Sequence, residues 1–293
     1  MLRLAATAAA IVATASAFSP ALAPSRRLMH SQSTTALPAK KGFKVTKWAD
    51  KIESGLLVDG DMVDSVVAPP PEPTVKPGAL GADSMELYCK AAGDGSQGDC
   101  PFAHFVGMVL HTKGIADYTL KPTASDDKPD WLRLNHGGAM PCLVHKGEAF
   151  TESMDIAKYI DFFFPDPKLE PKGSAVYDTG ASLSAGFMGK VKAFLTAADG
   201  DDAVSKRALN DALAGLDKHL AKNAFLGGDA LSLADCAFAP QLQILTVGGA
   251  ASQKNFALPT KLAALQAYAD KVYALPAFVA ASPATSAIEA TWA

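Results

Sequence analysis

A switch of hydrophobic period between residues 85 and 110 constrains this chain more than any other feature. Met85, Leu87 and Cys89 alternate with Glu86, Tyr88 and Lys90, the two-residue period of a strand with one buried face. A loop rich in Gly and Asp follows over 91–99. Phe102, Phe105, Val106, Val109 and Leu110 then fall at i, i+3, i+4, i+7 and i+8, a helix with one apolar stripe. Pro101 suits the first helical position, where its missing N–H is not needed. Cys100 is therefore placed at the N-cap. Free N–H groups and the positive end of the helix dipole stabilise an anion there. A cysteine in that position has its pKa lowered, to about 3.5–7.5 in known cases, which predicts a substantial thiolate fraction at neutral pH. A thiolate attacks disulfides and electrophilic carbonyls. The same place also suits a structural cysteine at a turn. Asp99 opposes a thiolate if it points inward and otherwise faces a ligand's amine.

The elements that follow predict a compact frame. Residues 116–123 read as a second strand, and 126–134 as a turn into a short helix carrying Leu132 and Leu134. Met140, Pro141 and Cys142 lead into a third strand, and Lys146-Gly147 turns into a fourth over 148–151. Ser153 caps a helix with Ile156, Ile160 and Phe163 inward, ending before Pro165. The order βαβ–α–ββα with a thiol at a helix start is a thioredoxin-like α/β domain, assigned to residues 84–167. Residues 168–293 lack strand signals and predict an all-α domain. Val204, Leu209, Leu213, Leu216 and Leu220 mark one amphipathic helix, and Lys261 to Ala274 another. Ser232 and Asp235 form a capping box at the start of a third.

The first 83 residues read as an address and a leader. Residues 1–17 carry Arg3, an Ala-rich apolar core and the small-x-small end Ala15-Ser16-Ala17, as a signal peptide does. Residues 18–39 begin with Phe18 and are rich in Ser, Thr and Arg. No acid occurs before Asp50, as in a transit peptide. The Ala-Ser-Ala-Phe junction resembles the bipartite plastid presequences of algae with complex plastids; plain secretion with a polar pro-segment is the alternative. Residues 40–83 are a linker or a docking segment for a protein partner through 42–67, closing on a proline-rich stretch at 68–78.

Composition removes several function classes. Twenty-seven Lys and Arg against thirty Asp and Glu leave a formal charge of −3, without the basic excess that a nucleic-acid partner requires. Four cysteines in 293 residues make no disulfide framework and predict free thiols. Cys89, Cys142 and Cys236 sit in apolar patterns and read as inert filler. No Cys-x-x-Cys occurs, so a reactive Cys100 needs an external thiol to resolve it. His30, His104, His111, His136, His145 and His219 lack ligand spacing, so no metal site is expected. No apolar run after the signal reaches bilayer length, so no membrane span is expected in the mature chain.

Residues from about 84 to 293 resemble the glutathione transferase superfamily, and within it the glutathione-dependent dehydroascorbate reductases. The resemblance rests on Lys90-Ala91-Ala92, Gly98-Asp99-Cys100-Pro101-Phe102, Asp127-Lys128-Pro129-Asp130-Trp131, Met140-Pro141, Glu152-Ser153 and Ser232-Leu233-Ala234-Asp235. It implies glutathione and dehydroascorbate as substrates, with no bound cofactor. It makes Cys100 the nucleophile and Pro141 a cis-proline presenting the Met140 backbone to the glutathione cysteinyl unit. Glu152 and Ser153 hold the γ-glutamyl end. Lys90 and Lys128 become cationic partners for the anionic tripeptide or the substrate, and Asp99 lines the same site. Ser232 and Asp235 are structural.

One departure is clear. The family usually continues Cys-Pro-Phe with Ser-Gln-Arg, where this chain has Ala103-His104-Phe105. His104 either tunes the thiol or faces solvent. Cys-Pro-Phe-Ala also occurs in omega-type glutathione transferases, so a thioltransferase is a second reading. A non-enzymatic docking subunit of the same fold is a third.

Overall fold

The structure is a computed structural model that describes residues 85–198 and 202–293. The readings over 1–17, 18–39 and 40–83 lie outside those residues. The described chain begins with β1 (Met85–Lys90), whose Met85, Leu87 and Cys89 are fully buried as the alternation predicts. It continues through α1 (Pro101–Thr112), β2 (Thr119–Thr123), α2 (Asp130–His136), β3 (Cys142–His145), β4 (Glu148–Phe150) and α3 (Ser153–Phe163). The sheet order is β2-β1-β3-β4. β1 runs parallel to β2 and antiparallel to β3, with Leu87 opposite Leu143, and β3 is antiparallel to β4.

The second half is helical. It comprises α4 (Ala175–Ser184), α5 (Phe187–Leu195), α6 (Ala203–Leu220), α7 (Leu233–Gln243), α8 (Ala263–Tyr273), α9 (Pro276–Ala281) and α10 (Thr285–Trp292). A π-helical turn, Ile244–Gly248, prolongs α7 four residues beyond Pro240, which lacks the N–H a regular ladder uses. At the start of α7 the capping box is formed. Asp235 accepts from the Ser232 N–H at 2.9 Å and the Ser232 hydroxyl at 2.6 Å, and also from the Leu226 N–H at 2.7 Å. Among the described residues, no helix is long and apolar enough to cross a membrane.

One core runs through both halves, and α1 is its axis. The apolar spacing predicted a single buried stripe on α1. Instead every residue from Ala103 to Leu110 is buried, because α3 and the sheet lie on one side and α7 and α9 on the other. Gly107 lets α9 close: a Cβ there would stand 3.1 Å from that of Ala281. Phe102 is the exception, 42% exposed in the first turn. One further expectation is corrected. Val204 belongs to the apolar stripe expected of α6 but is 82% exposed, while Leu209, Leu213 and Leu216 are fully buried; on α2, Leu132 is fully buried and Leu134 is 82% exposed. Periodicity marks an apolar position without showing whether a partner stands opposite it.

Candidate active site

Lys90, Asp99 and Cys100 are brought together by a loop that folds back on the strand it left. Gly98 donates its N–H to the Lys90 carbonyl at 2.7 Å, and a side chain there would collide, since its Cβ would lie 2.9 Å from that oxygen. The Ala91–Gln97 bridge and the Ser96 N–H and hydroxyl on the Asp94 carboxylate close the rest of the loop. Asp99 is thereby set beside Lys90, with Lys90 Nζ 2.6 Å from its Oδ1. Its Oδ2 accepts from the indole N–H of Trp292, at the far end of the chain, at 3.1 Å.

Cys100 is the N-cap residue of α1, with Pro101 at the first helical position. The Phe102 and Ala103 N–H groups act on the sulfur and lower its pKa, without a cap hydrogen bond of full geometry. The expected thiolate does not follow. Burial is the largest influence on Cys100 and pushes its thiol up. The Ala103 and Phe102 amides oppose it, Asp99 adds to it, Lys90 opposes it, and the net direction is upward. The predicted depression is therefore overturned for the free protein: the sequence displays the amides but not the apolar packing around them. Cys89 and Cys142 are fully buried, which drives both thiols to about 12. Burial raises Cys236 as well, so Cys100 is the one cysteine with any surface exposure.

A second group lines a cleft of about 150 Å³ next to the first turn of α1. Its walls are Phe102, Ala139, Met140, Pro141, Glu152 and Ser153, so four of the predicted residues meet there. Phe102 and Ala139 were not among those predicted; an exposed aromatic directly after Cys-Pro was the available signal. The Met140–Pro141 bond is cis, as the resemblance implies. Ser153 is the first residue of α3 rather than its cap. The N-cap is Glu152, at φ +64°, a left-handed conformation that costs a non-glycine residue on the order of 1–3 kcal/mol and is tolerated where function requires it. Lys128 does not reach this cleft; its ammonium donates to the Gly138 carbonyl at 2.8 Å, at the edge that Ala139 continues. A larger cleft of about 390 Å³, between the end of α6 and α8, contains no cysteine.

His104 neither faces solvent nor joins the thiol. Its ring lies on Phe278, centroid to centroid 4.5 Å, with Nε2 3.2 Å from the Ser282 hydroxyl and 3.3 Å from the Phe278 carbonyl. Burial drives its pKa down to about 4, so it is neutral at ordinary pH. It joins α1 to the chain's C-terminal segment. Among the described residues no cluster of His, Cys, Asp or Glu could hold a metal ion.

A thioredoxin-like sheet and an all-helical second half around one N-capping cysteine are matched by two family models: Glutathione S-transferase, N-terminal domain, over residues 99–161, and Glutathione S-transferase, C-terminal domain, over 201–271. The chain has the glutathione transferase fold. Among its relatives is the probable glutathione S-transferase DHAR2, chloroplastic, of Oryza sativa subsp. japonica. The two are 27% identical over 68% of this chain and 71% of that one. Glutathione S-transferase DHAR3, chloroplastic, of Arabidopsis thaliana is 25% identical over 75% of this chain and 86% of its own length. The crystal structure of Chlamydomonas reinhardtii dehydroascorbate reductase superposes with a TM-score of 0.62 at 28% identity, covering 72% of this chain and 98% of that one. The Tau class glutathione S-transferase of mango (TM-score 0.61, 21% identity, covering 72% of this chain and 98% of that one) shares the fold.

Proposed function

We propose that the chain is a glutathione-dependent dehydroascorbate reductase acting in the plastid, with Cys100 as nucleophile. The observation that carries this reading is the Cys100 sulfur at the start of α1, under the Phe102 and Ala103 amides and beside Lys90. The likeness to the Chlamydomonas dehydroascorbate reductase supports the substrate, and the two chloroplastic glutathione S-transferases DHAR2 and DHAR3 support the compartment. Glutathione occupies the cleft of Met140, Pro141, Glu152 and Ser153. The N-terminus of α3 at Ser153 offers unpaired amides to its γ-glutamyl carboxylate.

The reaction runs in three balanced steps. The Cys100 thiolate, dehydroascorbate and one water give ascorbate anion and a Cys100 sulfenic acid; two electrons pass from sulfur to the substrate. Glutathione then condenses with the sulfenic acid, releasing water and forming a mixed disulfide. A second glutathione, as thiolate, attacks the glutathione sulfur; oxidised glutathione leaves and the Cys100 thiolate returns. Because free Cys100 is mostly protonated, the thiolate is a minority species, held by Lys90 and the two amides once it forms. Ping-pong kinetics follow.

Cys100→Ser is expected to lower dehydroascorbate turnover by more than about 10³-fold while glutathione binding persists in calorimetry. Full activity in that variant rules the mechanism out. The Cys-Pro-Phe-Ala sequence keeps one rival in view, an omega-like thioltransferase. Turnover on a glutathione mixed disulfide far above that on dehydroascorbate would select it.

A further inference from the structure

We infer that Trp292 is a positioning residue for the Cys100 sulfur, acting through Asp99. The inference rests on the reading of Cys100 as the nucleophile. It goes further by assigning the end of the chain a part in the site.

Asp99 directly precedes a helix start whose amides serve the sulfur. A free carboxylate oxygen beside such amides is itself a strong acceptor for them. Both oxygens of Asp99 are engaged elsewhere: Oδ1 by Lys90 at 2.6 Å, Oδ2 by the Trp292 indole at 3.1 Å. Asp99 is nearly buried, at 6% exposure, so these two partners supply most of its hydrogen bonding. Trp292 is held for this task by its own seat. Its side chain lies on Gly248, the last residue of the π-helical turn, where an added Cβ would stand 2.9 Å from both Cγ and Cδ1 of the indole. Those atoms are at the root of the ring and cannot swing aside without moving the N–H. Ile288, fully buried, fixes α10 one turn earlier. The segment before it is tied to the same region by Gln97 on the Ala281 carbonyl at 3.1 Å and by His104 on Ser282. A π turn, a required glycine and a penultimate tryptophan thus converge on one carboxylate next to the reactive sulfur, 193 residues away in sequence. With the indole absent, Oδ2 is released to compete for the Phe102 and Ala103 N–H groups, and the sulfur loses them.

The test is the rate of Cys100 alkylation by iodoacetamide, read from the Cys100 peptide by mass spectrometry across pH, on the full folded chain. Trp292→Phe keeps the aromatic bulk and removes the N–H; Gly248→Ala keeps the indole and displaces it. Each is expected to slow alkylation at pH 7.5 by about 3- to 10-fold, the equivalent of one ordinary hydrogen bond; the thermal midpoint should change little in Trp292→Phe and fall in Gly248→Ala, where the added Cβ forces the indole to move. Asp99→Ala removes both acceptor oxygens, and in that background Trp292→Phe should change nothing. An equal slowing by Trp292→Phe in the Asp99→Ala background overturns the inference, as does no slowing at all in the parent. Failure of the wild type to reduce dehydroascorbate, with this alkylation pattern intact, would defeat the proposed substrate and leave the positioning role standing.

Discussion

At one end of α1, Lys113 meets Asp161 with Nζ 2.6 Å from Oδ1; at the other, beside Cys100, Lys90 meets Asp99 at the same 2.6 Å. The distances are equal, but the surroundings are not. The Lys113 and Asp161 side chains are 0% and 1% exposed, whereas Lys90 is half in water. Asp161 also accepts from Lys168 at 2.6 Å and from the Leu169 and Glu170 N–H groups, and Lys113 donates to the Pro167 carbonyl too. As a cation at a helix C-terminus, Lys113 also complements the dipole. The closed end fixes the helix, and the open end leaves a charge, a carboxylate and a sulfur within reach of a ligand. Burial, rather than separation, sets what an ion pair does.

The largest expected effect breaks the closed end. Asp161→Ala leaves Lys113 buried without its carboxylate and should cost about 3–5 kcal/mol in urea unfolding. A loss below about 1 kcal/mol would show that the two ends are equivalent after all. Next comes acid. Burial works to raise the Asp161 carboxyl, but Lys113, Lys168 and the Leu169 N–H outweigh it and hold its pKa below the usual value. A carboxyl depressed on folding contributes stability that is complete above its unfolded pKa of about 3.9 and is lost as pH falls through the lower folded value. Asp161→Asn should flatten that acid limb in stability measured from pH 5 to pH 2.

At the open end the response should be chemical instead. Lys90→Ala removes the charge that favours the thiolate, so alkylation of Cys100 at neutral pH slows a few-fold, with stability changed by no more than about 1 kcal/mol. In the parent, the rate should still climb beyond the ordinary thiol pKa of about 8.5, because burial raises Cys100. A plateau near pH 7 would restore the depressed thiol that helix position alone predicts. Smallest, and remote from both ends, Ser232→Ala removes a hydroxyl from the capping box and should cost about 1 kcal/mol.

These contrasts show what the sequence could and could not carry. Cys100 at the head of α1 was legible because Pro101 and the spacing of Phe105, Val106, Val109 and Leu110 are local signals. Met85, Leu87 and Cys89 were legible as a buried face for the same reason, and Ser232 with Asp235 as a cap. The pairings of Lys113 with Asp161, Asp99 with Trp292 and His104 with Ser282 were not, because they span 48, 193 and 178 residues, and no periodicity records such pairs. The direction of the Cys100 pKa is hidden from the sequence on the same ground. The amides come from its own helix, while the desolvation comes from wherever the fold happens to press.

Because α1 is enclosed by the sheet on one side and α7 and α9 on the other, Cys100 has no domain to call its own. Drawing the two halves apart would strip the shared helix before it freed either of them. A fragment ending near residue 167 would keep the motif, yet lose the wall that shapes the sulfur's surroundings. Such a piece should give a cysteine with unremarkable chemistry, and evolution could trim or swap the helical half only by retuning the thiol at the same stroke.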